Sequence, residues 1–576
     1  MGAFSIIEDR PTPKEVYNAR IYIFAATCAM GATTFGYDAA FLGTTLARKS
    51  FKDHFGITTM TAAQQSATSA NITSAYLAAA FFGALFAWPL METLGRKPTL
   101  QVASVIFLVG AVIMTAAESL LSMIYAGRVL TGFAVGALTA VIPSFIAEVS
   151  PPAIRGQLTG FFEIAYQIGN LVGFWINYGI NQHISATSVA SFRIPMAVQL
   201  IPGGMLALGS IFIRESPALL LRRGKDELAM KNLAYLRRLP ADHQYMREEV
   251  AMIRARIEEE NALSGGQGGV VGYVKGGLRE LKIKSIRHRV VVVSFMFFLQ
   301  NFSGAVCISE YPFAKVLPTK FSWSRAPAEL PLDYYSPTLF AGIGISDTSL
   351  YTGVYGLLKA AGCIFFFAVI VDRSGRRIPW LVSASSCAAC LLYLAIYTKI
   401  GHPQTGNISE STKQGGTAAT VMIMLYAVFW SFGGNGLPWI ISAEIFPIRL
   451  RSLTGAWAAM MQWLASYAST ESFPSMIASP MGVWGTFLFF AFCCIATFIF
   501  TFIWIPETKG VPIDCMDLLF SGPVRHAAWR QKSIYPPYGM PPLPEALMVQ
   551  AHGKDNLGGG ATYKEGEVQD EGVQVV

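Results

Sequence analysis

Long apolar runs recur along this chain, each about as long as a bilayer is thick and each closed by a short polar or charged break. A helix rises about 1.5 Å per residue, so roughly 20 apolar residues cross a ~30 Å hydrocarbon core. Twelve such runs lie near residues 21–43, 69–91, 99–117, 121–147, 157–180, 195–213, 289–312, 352–371, 379–400, 419–443, 453–477 and 483–505. Backbone in lipid has to bond to itself, which leaves helices as the economical reading. The pattern predicts an all-α integral membrane protein with twelve transmembrane helices in two six-helix halves.

The polar stretches divide the chain further. The expected division is a tail of residues 1–20, a first bundle over 21–213, a loop over 214–288, a second bundle over 289–508 and a tail over 509–576. The loop alternates charges, as in MREEVAMIRARIEEE (246–260), and reads as short amphipathic helices followed by a Gly-rich hinge at 264–272. The Pro- and Gly-rich final tail reads as disordered. The charged start, Glu8 to Arg20, leads straight into the first run, so that run reads as an uncleaved signal anchor.

Charge fixes the orientation. The formal net charge is +8, and residues 214–289 alone hold sixteen Lys and Arg. Arg96, Lys97, Arg155, Arg376, Arg377 and Arg451 fall on the same side. The positive-inside bias then places both termini and the loop in the cytoplasm, and makes the basic charge a matter of topology rather than nucleic-acid binding. Of two sequons, Asn407 is the better glycosylation candidate, since Asn71 lies too near the second run. The eight Cys show no paired spacing and read as packed thiols. No nucleotide loop, metal-ligand cluster or nucleophile motif occurs, so an enzyme reading has no support.

The two halves repeat each other. LGRK (94–97) returns as SGRR (374–377), AEVSPPAIR (147–155) as AEIFPIRLR (443–451), and RESP (214–217) as PETK (506–509). Three motifs in one order at nearly one offset indicate an internal duplication. Two halves related by an axis along the membrane normal form a transporter architecture, with the substrate site between them near the midplane. The motif charges sit at helix ends: Glu92, Arg96, Glu148, Arg155 and Glu215 in one half, Asp372, Arg376, Glu444, Arg451 and Glu507 in the other. They are expected to form ion-pair networks that latch the cytoplasmic side while the outside is open.

One residue in the first run needs its own explanation. Asp38 lies within FGYDAAFLG, where an ionised carboxylate costs several kcal/mol without a partner or a proton. Arg128, in AGRVLTGFAVGAL, is the candidate partner.

GYDAAFLG, GRVLTGFAVG, RESP, EIFPIRLR, QWLASY and PETKG together resemble the sugar-porter branch of the major facilitator superfamily, over about residues 15 to 515. EDRPTPKEVYNARIY and FFEIAYQIGNLVGFWINYG resemble more particularly its fungal quinate permeases. The resemblance implies alternating access at the plasma membrane, a small-molecule substrate, no cofactor and function as a monomer. It implies that Asp38 takes up the coupled proton and that Arg128 is its switchable partner. It also implies substrate contacts from Asn170, Gln300, Asn301 and Gln462, whose amides both donate to and accept from ring hydroxyls.

Departures from the hexose pattern sharpen the substrate. Glu163 stands where hexose transporters carry Gln, Gly434 and Asn435 where they carry an aromatic wall, and Lys359 interrupts the apolar face of the eighth run. A neutral sugar needs no buried cation, whereas a carboxylated ring does. Lys359 is therefore expected to receive the carboxylate of quinate or a related cyclic hydroxy-acid, with Glu163 as its resting partner or a second protonatable group. The alternatives are a proton symporter of neutral hexose, pentose or polyol, and a non-transporting nutrient receptor. Residues 305–333 fit the family pattern badly and read either as an insertion or as an intron carried into the gene model.

Overall fold

Capping residues set where the first helices start. Asn18 opens α1 (Ala19–Ala47), its side chain accepting from the backbone of Arg20 at 2.9 Å. Thr61 and Gln64 form a reciprocal capping box at the start of α2 (Ala62–Thr93). Then follow α3 (Arg96–Thr115), α4 (Leu121–Val149), α5 (Arg155–His183) and α6 (Ala190–Phe212), whose two pieces meet at Gln199. The second half holds α7 (Lys284–Asn301), α8 (Thr348–Phe365, a π segment Phe366–Ile370, then Val371–Ser374) and α9 (Arg377–Ile400). It continues with α10 (Glu410–Phe429, a π segment Trp430–Gly434, then Leu437–Glu444), α11 (Arg451–Ala478) and α12 (Gly482–Trp504). Three shorter helices, Pro217–Arg222, Asp226–Arg237 and Gln244–Leu263, lie between the halves in sequence.

This computed structural model describes residues 12–151, 154–263, 277, 279–304, 348–400, 410–446, 450–508 and 520. Asn407, the hinge at 264–272, residues 305–333 and almost all of the final tail lie outside them, as do the side chains of Asp372 and Arg451. The observed helices follow the expected runs, with one difference. The seventh run was expected to reach residue 312, but α7 ends at Asn301, and the chain turns at Gly304 with φ +91°.

Eight helices are long and apolar enough to cross a membrane on composition alone: α2, α3, α4, α6, α8, α9, α10 and α12. The four that fall short, α1, α5, α7 and α11, carry polar side chains at positions buried inside the bundle. Buried polar groups need partners, so these helices are the ones built around something other than lipid. α1 and α5 pack closely because both are glycine-bearing where they cross. A Cβ on Gly36 would strike the Tyr166 carbonyl, and one on Gly169 the Thr33 carbonyl. Between the halves, α2 and α4 pack on α11, and α5 packs on α8.

The duplication is a physical one at the end of the bundle where Arg96 and Arg376 lie, called here the basic end. Gly95 and Gly375, before α3 and α9, take φ of +116° and +79°. Only glycine enters that region at little cost. The missing Cβ leaves room for Glu215 in one half and Glu507 in the other. Glu215 accepts from the backbone N–H of Lys97 at 3.1 Å, and Glu507 from those of Arg376 at 2.8 Å and Arg377 at 3.0 Å. Each carboxylate thus sits on the positive end of a helix whose first N–H groups have no partner inside the helix.

A substitution pair tests this. Gly482 also has positive φ (+58°), but nothing lies within 4 Å of where its Cβ would stand. Gly482→Ala should cost only the left-handed backbone penalty, about 1–2 kcal/mol. Gly375→Ala should cost clearly more, because it also expels the Glu507 carboxylate. Thermal melts of the two variants in detergent measure the difference, and equal losses would refute the wedge role of Gly375.

Candidate functional site

A cavity lies between the halves, walled by α1, α2, α4 and α5 on one side and by α7, α10 and α11 on the other. Asp38 and Arg128 are part of its wall. Asp38 is 0% exposed and Arg128 2%, so this charge pair is withdrawn from solvent. Arg128 donates through Nη1 to both carboxylate oxygens, at 2.7 Å and 2.9 Å. The ring of Tyr76 lies against the guanidinium face, 4.0 Å from its carbon. Removing one member of such a buried pair and leaving the other costs about 3–5 kcal/mol.

The amides gather on the opposite wall. Gln300 donates to the Asn435 carbonyl at 2.7 Å, while its own Oε1 is buried without a partner. Asn301 and Gln462 bond to each other at 2.9 Å and 3.3 Å, and Ser466 donates to Asn301 at 2.7 Å. Gln300, Asn435, Gln462 and Ser466 reach the cavity wall, whereas Asn301 stands behind Gln462 and orients it. Asn170 is buried on α5, its Nδ2 unpartnered, and is not in the wall.

Glu163 lines the cavity and accepts from the side chain of Asn435 and from Gln167 at 3.3 Å. Lys359 is buried and is not in the wall. Its Nζ lies 5.9 Å from the centre of the Tyr166 ring, close enough to Glu163 for the two charges to interact. Glu163 and Lys359 thus interact electrostatically, while Arg128 is a cation in the cavity wall.

Two features were not anticipated. Aromatic walls exist despite Gly434 and Asn435: Trp439 and Trp463 line the cavity with Phe35 and Tyr166, and Phe35 packs 4.6 Å from Tyr166 and 5.0 Å from Trp463. The π segment Trp430–Gly434 shifts the register of α10 just before Asn435, which sequence spacing does not reveal. The second feature is Glu471, an acid in the apolar run 453–477, which accepts from Ser74 across the two halves. It carries the same signal that singled out Asp38. Side-chain bonds among the described residues tie the halves at different depths, among them Ser74–Glu471 toward the end opposite the basic one, Trp463–Thr139 at 3.0 Å in the middle, and Glu163–Asn435 toward the basic end.

The motif charges at the basic end are brought together within each half. Arg96 binds Glu148 and Glu92, both at 2.9 Å, and Glu92 also binds Arg222 at 3.0 Å. Arg376 binds Glu444 at 2.8 Å, and Thr508 donates to the same carboxylate at 2.5 Å. The correspondence extends to the backbone: Arg96 donates to Met91 O and Arg376 to Val371 O, each five residues before it. These bonds brace each half rather than join the two. Burial raises the Glu215 carboxyl above its ordinary range, opposed by N–H donors of Ser216 and Lys97. Arg155 is half-buried at the start of α5.

Comparison with known proteins places this arrangement. The model of the family described as "Sugar (and other) transporter" matches residues 24–314 and 331–520. The break at 315–330 falls inside the segment that fits the family pattern badly. A protein of Aspergillus fumigatus named "Probable quinate permease" is 41% identical over 526 residues, covering 90% of this chain and 91% of the relative. One of Aspergillus niger with the same name is 40% identical over 525 residues, covering 90% and 91%. Among solved structures, the proton:xylose symporter XylE bound to 6-bromo-6-deoxy-D-glucose has a TM-score of 0.67 at 20% identity, covering 87% of this chain and 99% of XylE. The inward-open form of XylE from E. coli scores 0.62 at 19% identity over 87% and 99%. The chain therefore belongs to the sugar (and other) transporter family, has the major facilitator fold, and is a membrane transporter rather than an enzyme.

Proposed function

We propose that this protein imports quinate or a related cyclic hydroxy-acid across the plasma membrane together with protons, by alternating access. Both termini and the loop between the halves lie in the cytoplasm on this reading, and the monomer is the working unit. The observation that carries it is one cavity in which a buried, protonatable carboxylate and its arginine face a row of amides on the opposite wall. The amides suit ring hydroxyls in pairs, and the guanidinium suits a carboxylate. The names of the relatives point to the same substrate. Asp38 is the proton acceptor, Arg128 its partner, and Gln300, Asn435, Gln462 and Glu163 contact the ring. The ion pairs of Arg96 and Arg376 keep each half rigid while the halves rock.

A second reading is proton symport of a neutral sugar. The aromatic wall of Trp439 and Trp463 favours it, because sugar rings pack their apolar faces on aromatics.

Uptake of labelled quinate and labelled glucose, at acidic and neutral outside pH, with and without a protonophore, separates the two. The expected result is acid-stimulated, protonophore-sensitive quinate uptake at least ten-fold above that of glucose. Glucose uptake alone would overturn the substrate assignment. The bond between the halves at Glu471 generates a further expectation. Glu471→Ala should raise the accessibility of a cysteine placed at the neighbouring cavity-wall position Thr73 to a membrane-impermeant thiol reagent added outside, since the Ser74–Glu471 contact is lost. Unchanged labelling would remove Glu471 from the outer gate.

A further inference from the structure

Arg128 is unusually under-used for a buried arginine. Of its donors, Nη1 alone bonds to Asp38. Among the described residues, Nε is buried with no hydrogen-bond partner, and the side-chain bonds of Arg128 run through Nη1 and none through Nη2. A guanidinium presents two adjacent N–H groups along each edge, a geometry that matches a carboxylate bidentately. The Nε–Nη2 edge is therefore unsatisfied, with Nε withdrawn from the surface, on a side chain 2% exposed that lines the same cavity as Gln300, Asn435 and Gln462.

Charge decides what can occupy that edge. With Asp38 ionised, the pair is neutral. Adding a substrate carboxylate would leave two anions on one cation in a medium of low dielectric, which is costly. Adding a proton to Asp38 alone would leave an unbalanced arginine. Adding both restores neutrality. The other charged or titratable groups near the cavity are Glu163 on α5, which interacts with Lys359 on α8, and the phenols Tyr76 on α2 and Tyr166 on α5; the count is that of Asp38, Arg128 and the substrate, with the charge state of Glu163 unchanged on loading. Glu471 on α11 is engaged with Ser74 at the outer contact.

We propose that Arg128 receives the substrate's carboxylate on its Nε–Nη2 edge, so that one acid and one Asp38 proton load together and the loaded site has the same net charge as the empty one. This rests on the proposed hydroxy-acid substrate and adds its consequence: one proton and one monoanion cross as a neutral pair. Arg128 is then a substrate-binding residue as well as the tuning partner of Asp38, and Lys359 is held in reserve behind Glu163 as a fixed countercharge.

The test uses the purified full-length protein in liposomes, with labelled quinate as the probe. A pH gradient, acid outside, should drive accumulation, and an inside-negative potassium diffusion potential imposed without a pH gradient should change the rate by less than two-fold. Asp38→Asn should abolish accumulation and make the KM for quinate counterflow independent of pH, whereas the wild-type KM should rise as pH rises. Arg128→Gln should weaken quinate at least ten-fold more than it weakens the uncharged methyl ester of quinic acid. Quinate uptake accelerated several-fold by the potential would show net positive charge moving with it, and would overturn the neutral pairing while leaving quinate as substrate. Equal weakening of acid and ester by Arg128→Gln would overturn the carboxylate role. Uptake of glucose without quinate would overturn both this inference and the substrate reading beneath it.

Discussion

A charge buried in a bilayer has to be balanced within a few ångströms, and the interior of this protein is organised around that requirement. Asp38 has Arg128 at 2.7 Å, and Glu163 has Lys359 within electrostatic reach. Arg96 has Glu92 and Glu148. The desolvation cost of each ion is several kcal/mol, offset only when geometry and further hydrogen bonds are good. The consequence is visible along the chain. Four of the helices that line the cavity, α1, α5, α7 and α11, are too polar to be recognised as membrane spans by composition, and α2, α4 and α10 line it with them.

The two halves solve one problem identically and another differently. At the basic end each has a positive-φ glycine, a carboxylate on a helix start, and an arginine bonded to a glutamate and to a carbonyl five residues back. In the cavity the halves diverge. The first supplies the charges Asp38, Arg128 and Glu163, and the second supplies the amides Gln300, Asn435 and Gln462. Duplication gave the chassis, and divergence put ionisable groups in one half and amides in the other.

Much of this was legible in the sequence, for identifiable reasons. Twelve helices follow from run length, and the Asp38–Arg128 pairing follows from the rarity of ions in apolar runs. The matched arginines follow from the repeat. What could not be read was which way side chains point where helices depart from 3.6 residues per turn. Lys359 precedes the π segment of α8, and Asn435 follows that of α10. Each such segment rotates what lies beyond it relative to the rest of its helix. Departures from the hexose pattern pointed to Lys359 for the carboxylate and to a lost aromatic wall, whereas in the structure Lys359 is not in the cavity wall and Trp439 is. The bond from Ser74 to Glu471 joins residues 397 apart in sequence, beyond any local pattern.

The bonds between the halves link substrate to motion. Glu163–Asn435 holds the halves together toward the basic end, and Asn435 and Gln300 are also cavity-wall groups, joined to each other through the Asn435 carbonyl. A hydrogen bond to a charged group contributes about 1.5–3 kcal/mol, a scale at which its loss moves a two-state population by one to two orders of magnitude. On the proposed reading, a ring hydroxyl that competes for the Asn435 N–H held by Glu163 weakens the contact toward the basic end. The Ser74–Glu471 bond toward the other end lies outside the cavity wall and is not in that competition. Occupancy of the site would thus act on one contact between the halves and leave the other made, a difference between two states of the kind through which a ligand shifts their populations.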